Sequence, residues 1–221
     1  MEILEDLNLN GLKIYQDDSL YKFTSDAVLL TRFATVKHGD VVADFCSGSG
    51  IVGLHLYALN KDKINSVTLF EMQKPLFELS NKSIEVNGLQ DKFTAVNCKV
   101  QDISNEYAGK FSLVVCNPPY MPVGHGFYEK DDAIAVCRTE LTLPLNELIK
   151  AIAKALKFGG RTAIVHRADR LSDLIYEMKK NNIEPKRLQF VSGGKKEPYL
   201  FLMEGVKGGK SGLTVLKTIE N

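Results

Sequence analysis

The chain has 221 residues, 44% hydrophobic and 25% charged, with a net charge of +1, which suits one ordinary globular domain with a full core. It holds no apolar run of about 18 residues, which excludes a membrane-spanning helix. The acidic start Met1-Glu2-Ile3-Leu4-Glu5-Asp6 lacks the basic and apolar regions of a secretory leader, and Cys46, Cys98, Cys116 and Cys137 are scattered with no C-x-x-C pair, so the expectation is a cytoplasmic protein with reduced thiols and no metal site.

Residues 1–22 lack helical periodicity, and Gly11 and Asp17-Asp18 read as turns, so a short strand pair is expected there. Phe23-Thr24-Ser25-Asp26 opens a helix that Thr24 or Ser25 can cap. From Asp40 onward the chain alternates. Strands are expected at 41–45, 66–70, 93–97, 111–115 and 162–165, and helices at 51–59, 75–86, 145–156 and 170–180. Pro75 suits a first helical turn, Asn87-Gly88 a helix end, and Phe158-Gly159-Gly160 reads as a helix stop. Residues 187–191 and 199–203 read as a closing strand pair. Residues 121–142 are irregular and rich in glycine, aromatics and charge.

Near-continuous apolar strands alternating with helices predict an α/β fold of Rossmann-like type. The expectation is a seven-stranded, mostly parallel sheet flanked by helices, with the last strand antiparallel. The division read from the sequence is a lead-in at 1–39, a core domain at 40–206 and a tail at 207–221 that Gly208-Gly209 makes a candidate for mobility.

Ligands of such sheets sit at the carboxyl ends of the strands. Gly48, Gly50 and Gly53 follow the first long strand and satisfy G-x-G-x-x-G. Glu71 follows at the end of the next strand, where a carboxylate can accept both ribose hydroxyls of an adenosyl cofactor or of NAD. Those features leave the cofactor open. Asp44 tilts the choice, because a carboxylate before the glycines can meet the ammonium of a methionine moiety; its alternative is to brace the loop. Asp102, after the third strand, can accept an adenine amino group or cap a helix.

The stretch Asn117-Pro118-Pro119-Tyr120 follows the run Phe111–Cys116. An exocyclic amino group on a base is a poor nucleophile, because its lone pair is delocalised into the ring. Two acceptors that hold its N–H bonds steer the nitrogen towards pyramidal geometry. The Asn117 side-chain oxygen and the Pro118 carbonyl can be those acceptors. The prolines fix φ and remove competing donors, and Tyr120 offers a face on which an extruded base can stack. No strong general base is needed, and catalysis is mainly positioning.

Asp44-Phe45-Cys46-Ser47-Gly48-Ser49-Gly50, with Glu71, resembles the first two motifs of the class I S-adenosylmethionine-dependent methyltransferases over about residues 40–205. Asn-Pro-Pro-Tyr resembles the motif of the members that methylate amino groups on adenine, cytosine, guanine or glutamine amide. Tyr21-Lys22-Phe23-Thr24-Ser25-Asp26-Ala27-Val28-Leu29-Leu30, Arg138-Thr139-Glu140, Lys196-Glu197-Pro198 and Glu204-Gly205-Val206-Lys207 together look most similar to the bacterial tRNA(Val) adenine-N6 methyltransferase family. The resemblance implies S-adenosylmethionine as cofactor, held by Asp44, Cys46, Gly48, Gly50, Glu71, Met72, Asp102, Ile103 and Asn117. It implies catalysis by Asn117, Pro118 and Tyr120. It also implies a tRNA partner met by Phe23, Tyr120, Arg138, Lys195, Lys196 and Lys207, with no membrane and no metal.

Charge fits a polyanionic partner. Residues 157–217 carry 13 basic and six acidic side chains, a net +7, which leaves −6 for the rest of a +1 chain. The alternatives are glutamine methylation of a release factor, a nucleotide-dependent oxidoreductase, and an RNA-binding module that kept the fold without the chemistry. The sequence leaves the oligomeric state open.

Overall fold

The chain starts as a hairpin. In a computed structural model, which describes residues 1–20, 25–119, 143–194 and 196–221, β1 (Glu2–Asp6) and β2 (Lys13–Asp17) pair antiparallel. Asn8, Asn10 and Gly11 take left-handed φ at its turn, the residues that tolerate it best. The hairpin lies on α3 (Lys74–Val86), where the Ser83 hydroxyl accepts from Tyr15 N at 2.9 Å and the Asn87 side chain from Lys13 N at 2.8 Å. Helix α1 (Ser25–Phe33) follows and packs on α2 (Ile51–Leu59), where Thr31 Oγ1 and His55 Nδ1 lie 2.7 Å apart in a buried hydrogen bond.

The apolar runs form the sheet. Its parallel centre is β3 (Asp40–Phe45), β4 (Ile64–Glu71), β5 (Phe93–Asn97), β6 (Phe111–Cys116) and β7 (Leu156–Arg167). Every residue of β6 is buried, as expected for a strand with both faces covered. Helices α4 (Leu145–Ala155) and α5 (Leu171–Lys180) are also present, and α4 puts Leu145, Leu148, Ile149 and Ile152 in the core. The antiparallel pair β8 (Ile183–Ser192) and β9 (Pro198–Lys207) closes one side, with β9 inserted between β7 and β8.

Among the described residues the sheet has nine strands in place of seven. The order is β10-β8-β9-β7-β6-β3-β4-β5, with β11 also beside β8. The two additions, β10 (Thr214–Val215) and β11 (Ile219–Glu220), come from the tail. That tail is paired along the β8 edge rather than loose. Leu216 N donates to Leu188 O at 2.7 Å and Asn221 N to Ser192 O at 3.0 Å. The Asn221 side chain donates to Ser25 Oγ at 2.8 Å and to Tyr199 Oη at 2.9 Å. An edge strand offers a row of free backbone groups, and the tail takes them up.

A second correction concerns β7. Phe158-Gly159-Gly160 lies inside this strand, and α4 ends before it at Ala155. The register with β6 jumps there from Leu156 to Arg161, and only glycine fits at 160, where a Cβ would stand 2.8 Å from Lys157 O.

At the amino ends of the central strands sits a buried polar knot. Arg161 Nη2 donates to both Asp40 oxygens, at 2.6 and 2.7 Å, and Ser112 Oγ donates to Asp40 Oδ1 at 2.7 Å. Both charged residues are under 5% exposed. Removing one partner strands the other charge, which costs far more than the intact pair contributes. Arg161→Met is therefore expected to lower unfolding free energy by about 3 kcal/mol or more, read as a drop in the urea midpoint. An unchanged midpoint would mean that the knot is not closed in solution.

Candidate active site at the carboxyl ends of the strands

Three strands end level. Phe45 pairs with Phe70 on one side and Cys116 on the other, so the residues that follow, Cys46, Glu71 and Asn117, emerge side by side. Glu71 is itself the last paired residue of β4, opposite Asn97. The chain then leaves β3 through a tight loop into α2. Cys46, Gly48 and Gly50 take φ of 58°, 57° and 93° there. For a residue with a Cβ this costs roughly 1–2 kcal/mol, so Cys46 is a strained position that glycine would relieve.

The glycines do different work. A Cβ on Gly53 would stand 2.5 Å from Leu69 Cδ2, and one on Gly50 would stand 3.0 Å from Leu69 Cδ1. Both let α2 press on the sheet. A Cβ on Gly48 would meet nothing within 4 Å, so the backbone there faces open space. Close approach of α2 brings Gly53 N to 2.8 Å from Asp44 Oδ2. Glu71 holds the other side of the loop. Its Oε2 accepts from Gly48 N at 2.9 Å and its Oε1 from Gln73 N at 2.8 Å. Asn97 in turn fixes the Glu71 and Met72 carbonyls with its side-chain amide, at 2.8 and 3.1 Å.

Several buried polar atoms here have no partner among the described residues: Asp44 Oδ1, Ser47 Oγ and Asn117 Oδ1. A buried acceptor without a donor is costly, so their clustering at one strand end marks a place built for donors brought by a ligand. Both acids are perturbed. Burial, reinforced by the nearby Glu71 charge, raises Asp44 to about 8 against the help of the Gly53 N–H. Burial likewise raises Glu71. A cationic ligand with hydroxyl and amino donors is what such a site lacks. S-adenosylmethionine, with its sulfonium, ammonium and ribose hydroxyls, fits that description.

The other expected residues fall as follows. Asp44 is fully buried and braces the loop through Oδ2. Met72 follows Glu71 and is half-buried. Asp102 lies exposed at the end of a short 3-10 turn, Val100–Asp102, and Ile103 beside it is buried. Pro118 is buried after β6. Lys196 is exposed in the loop between β8 and β9, which lies at this end of the sheet because Ser192 and Pro198 pair there. Lys207 is at the opposite end. Its ammonium donates to Ala153 O at 2.6 Å and Leu156 O at 2.8 Å, closing the end of α4, and this separates it from Lys196. Phe23, Tyr120, Arg138 and Lys195 lie outside the described residues. Sequence reasoning missed Ser47, Gln73 and Asn97. Asn97 carried a usable signal, an amide at the end of a strand next to the expected acid.

The sequence profile of the methyltransferase small domain family matches residues 23–181. Over 184 residues the chain is 24% identical to a protein of Shewanella woodyi named tRNA1(Val) (adenine(37)-N6)-methyltransferase, covering 81% of this chain and 74% of that one. A protein of the same name from Shewanella putrefaciens is 28% identical over 144 residues, 64% of this chain and 58% of its own length. Among solved structures, a predicted O-methyltransferase of Agrobacterium tumefaciens superposes with a TM-score of 0.69 at 16% identity, over 88% of this chain and 86% of that one. The M. jannaschii protein TYW2 in complex with AdoMet gives 0.64 at 12%, over 93% and 85%. At these identities the structural likeness shows the fold.

The Asp44 shift carries a sign. Its folded value, about 8, stands above its ordinary 3.8, so the folded protein keeps a proton that the unfolded chain releases. Stability is then fully present below the ordinary value and falls as pH rises through the window between the two, by roughly 1.4 kcal/mol per pH unit at most. Urea midpoints measured from about pH 5 to about pH 8 are expected to decline in the ligand-free wild type and to decline less in Asp44→Asn. Parallel curves would show that Asp44 is ionised in the fold.

Proposed function

Since the chain belongs to the methyltransferase small domain family and works with S-adenosylmethionine, we propose that it methylates the N6 amino group of an adenine in tRNA, at position 37 of tRNA(Val), the target in the names of its curated relatives. The observation that carries this reading is Asn117 Oδ1, a buried acceptor with no partner among the described residues, held beside the glycine loop.

When bound, S-adenosylmethionine supplies an electrophilic methyl group on a sulfonium. This chain's residues do the rest. Gly48 leaves its backbone open for close approach, and Glu71 keeps free lone pairs for the ribose hydroxyls. Asp44 fixes the loop–helix junction beneath and adds a carboxylate whose field favours a cation. Asp102 and Ile103, after β5, border the adenine, and Met72 covers the ribose side.

Asn117 Oδ1 and the Pro118 carbonyl accept the two N–H bonds of the target amino group. Pro118 and Pro119 cannot donate a backbone N–H of their own, so the acceptors keep no local competitor. So held, the nitrogen would keep its lone pair free for the methyl that the cofactor supplies, and its surplus proton would leave to water. Tyr120 stacks on the extruded base, and Phe23 and Arg138 border it. Lys195 and Lys196 meet phosphate at the rim. Lys207, occupied at the far end of the sheet, keeps α4 in place instead.

Two measurements test this. With labelled S-adenosylmethionine and unmodified bulk tRNA, N6-methyladenosine is expected in valine tRNA, and Asn117→Ala is expected to lower turnover by about 100-fold or more while still binding cofactor. Near wild-type turnover in that variant would end the clamp assignment. Label in a release factor but not in tRNA would keep the clamp and move the substrate to a glutamine amide. Separately, tRNA binding is expected to weaken steeply with added salt, in proportion to the phosphates neutralised. A salt-insensitive affinity would count against a nucleic acid.

A further inference from the structure

Two thiols meet at the seam between the cofactor loop and the amino-group clamp. Cys46 begins the loop after β3, and Cys116 ends β6, one residue before Asn117. The residue before Cys46, Phe45, is the registered partner of Cys116. Cys46 stands one residue beyond that partner, so a strand spacing of about 4.8 Å and a rise of about 3.3 Å per residue put its Cα about 6 Å from that of Cys116, within the roughly 4.4–6.8 Å that a disulfide needs. Both side chains pack in the same apolar cluster, Cys116 inside it and Cys46 against it. Cys46 is half-buried and reachable from solvent, whereas Cys116 is fully buried. Cys46 also holds a left-handed φ of 58° in a loop whose other left-handed positions, Gly48 and Gly50, are glycines. A cysteine stands where glycine would be cheaper, and it packs in the same cluster as another cysteine.

We propose that Cys46 and Cys116 are an oxidisable pair, in which a peroxide-class oxidant converts two thiols to a disulfide that weakens cofactor binding. The proposal rests on the functional reading above for its effect, though not for the bond itself. The steps balance. The Cys46 thiolate attacks one peroxide oxygen, breaks the O–O bond and becomes a sulfenic acid, releasing hydroxide. The Cys116 sulfur then attacks the Cys46 sulfur. The S–S bond forms, the S–O bond breaks, and the departing hydroxide takes the Cys116 proton as water. Overall one hydrogen peroxide and two thiols give one disulfide and two waters. Cys46 is the thiol that a dissolved oxidant can reach, and Cys116, fully buried and with its thiol pushed well above the ordinary range chiefly by that burial, is the one that resolves it.

The mechanical consequence follows from which partner can move. Cys116 sits in a strand paired on both sides, with β3 and with β7. Cys46 sits in a loop. Drawing the sulfurs together into a bond of about 2.0 Å therefore shifts Cys46, and with it Ser47 and Gly48, whose N–H is tied to Glu71. The surface that approaches the cofactor is displaced, while the strands stay.

The test uses the full chain with hydrogen peroxide, tryptic peptide mass mapping without reduction, and calorimetric titration with S-adenosylmethionine. Peroxide is expected to yield a cross-linked peptide joining Cys46 to Cys116 and to weaken cofactor binding by about tenfold or more, with both effects reversed by dithiothreitol. Cys116→Ala is expected to give no such peptide. Cys46→Ala is expected to bind the cofactor equally before and after peroxide, whatever its starting affinity. Oxidation of Cys46 without the cross-linked peptide overturns the pairing, and a cross-linked protein that binds cofactor as the reduced one does overturns the switch. If the reduced protein does not bind S-adenosylmethionine, the proposed function falls instead, and the peptide still decides whether the pair forms.

Discussion

The contact on which the site depends is the 2.8 Å hydrogen bond from Gly53 N to Asp44 Oδ2. It exists because residue 53 has no side chain. A Cβ there would collide with Leu69 and push α2 off the sheet. With α2 seated, the five residues between Phe45 and Ile51 must turn sharply, and only left-handed backbone at Cys46, Gly48 and Gly50 closes the gap. The loop is then tied from its far side by Glu71, and Glu71 is placed by the β4–β5 pairing and by Asn97. One missing methyl group thus sets helix, loop and acid in a single geometry. The energetic logic is that the hydrogen bond alone contributes only about 1 kcal/mol, whereas the packing it permits between α2 and the sheet buries Val52, Leu54 and Leu56.

The electrostatics of the site run against the fold. Two acids buried within each other's field cost stability, and an ordinary core would replace them with apolar residues. Their retention makes sense where a cation compensates. A bound S-adenosylmethionine would bring that charge in its sulfonium and ammonium, and Asp44 Oδ1 and Asn117 Oδ1 have no donor among the described residues. The opposite end of the sheet shows the contrast. Asp40 is equally buried, but Arg161 and Ser112 satisfy it from within the chain. A carboxylate paired internally reads as architecture, and one left short of partners reads as a binding site.

How much was legible in the sequence depended on whether a feature was local. The parallel strands were readable because β3, β4 and β6 are near-continuous apolar runs, and the glycine loop and Glu71 because their spacing follows from one strand–helix–strand unit. The tail was not. β10 and β11 are two-residue pairings made by backbone groups, with exposed side chains at 214, 215 and 220, so no apolar alternation announces them. The glycines at 159 and 160 suggested a helix stop, but they form an irregular stretch of β7: β6 pairs with Leu156 and again from Arg161, and β9 pairs from Arg161 onward. Lys207 looked free because a lysine in a basic half usually is. Its capping of α4 is a contact across more than 50 positions of sequence, which composition cannot show.

Cys46 shows how a residue can be readable in type yet not in meaning. In the sequence it fills a slot in a cofactor loop and passes for a small buried side chain. The structure adds two facts that only together say more: the backbone there is one that favours glycine, and the side chain packs in the cluster that holds Cys116, one step from its strand partner. Either fact alone has a bland account, since strained loops tolerate occasional non-glycine residues and paired strands bring many side chains together. Their coincidence does not, because a backbone cost of this kind persists only where something offsets it. The packing of one small thiol beside another is too weak to do so alone. What a second thiol provides that no other small side chain can is reversible chemistry, at the point where the cofactor loop and the clamp share a seam.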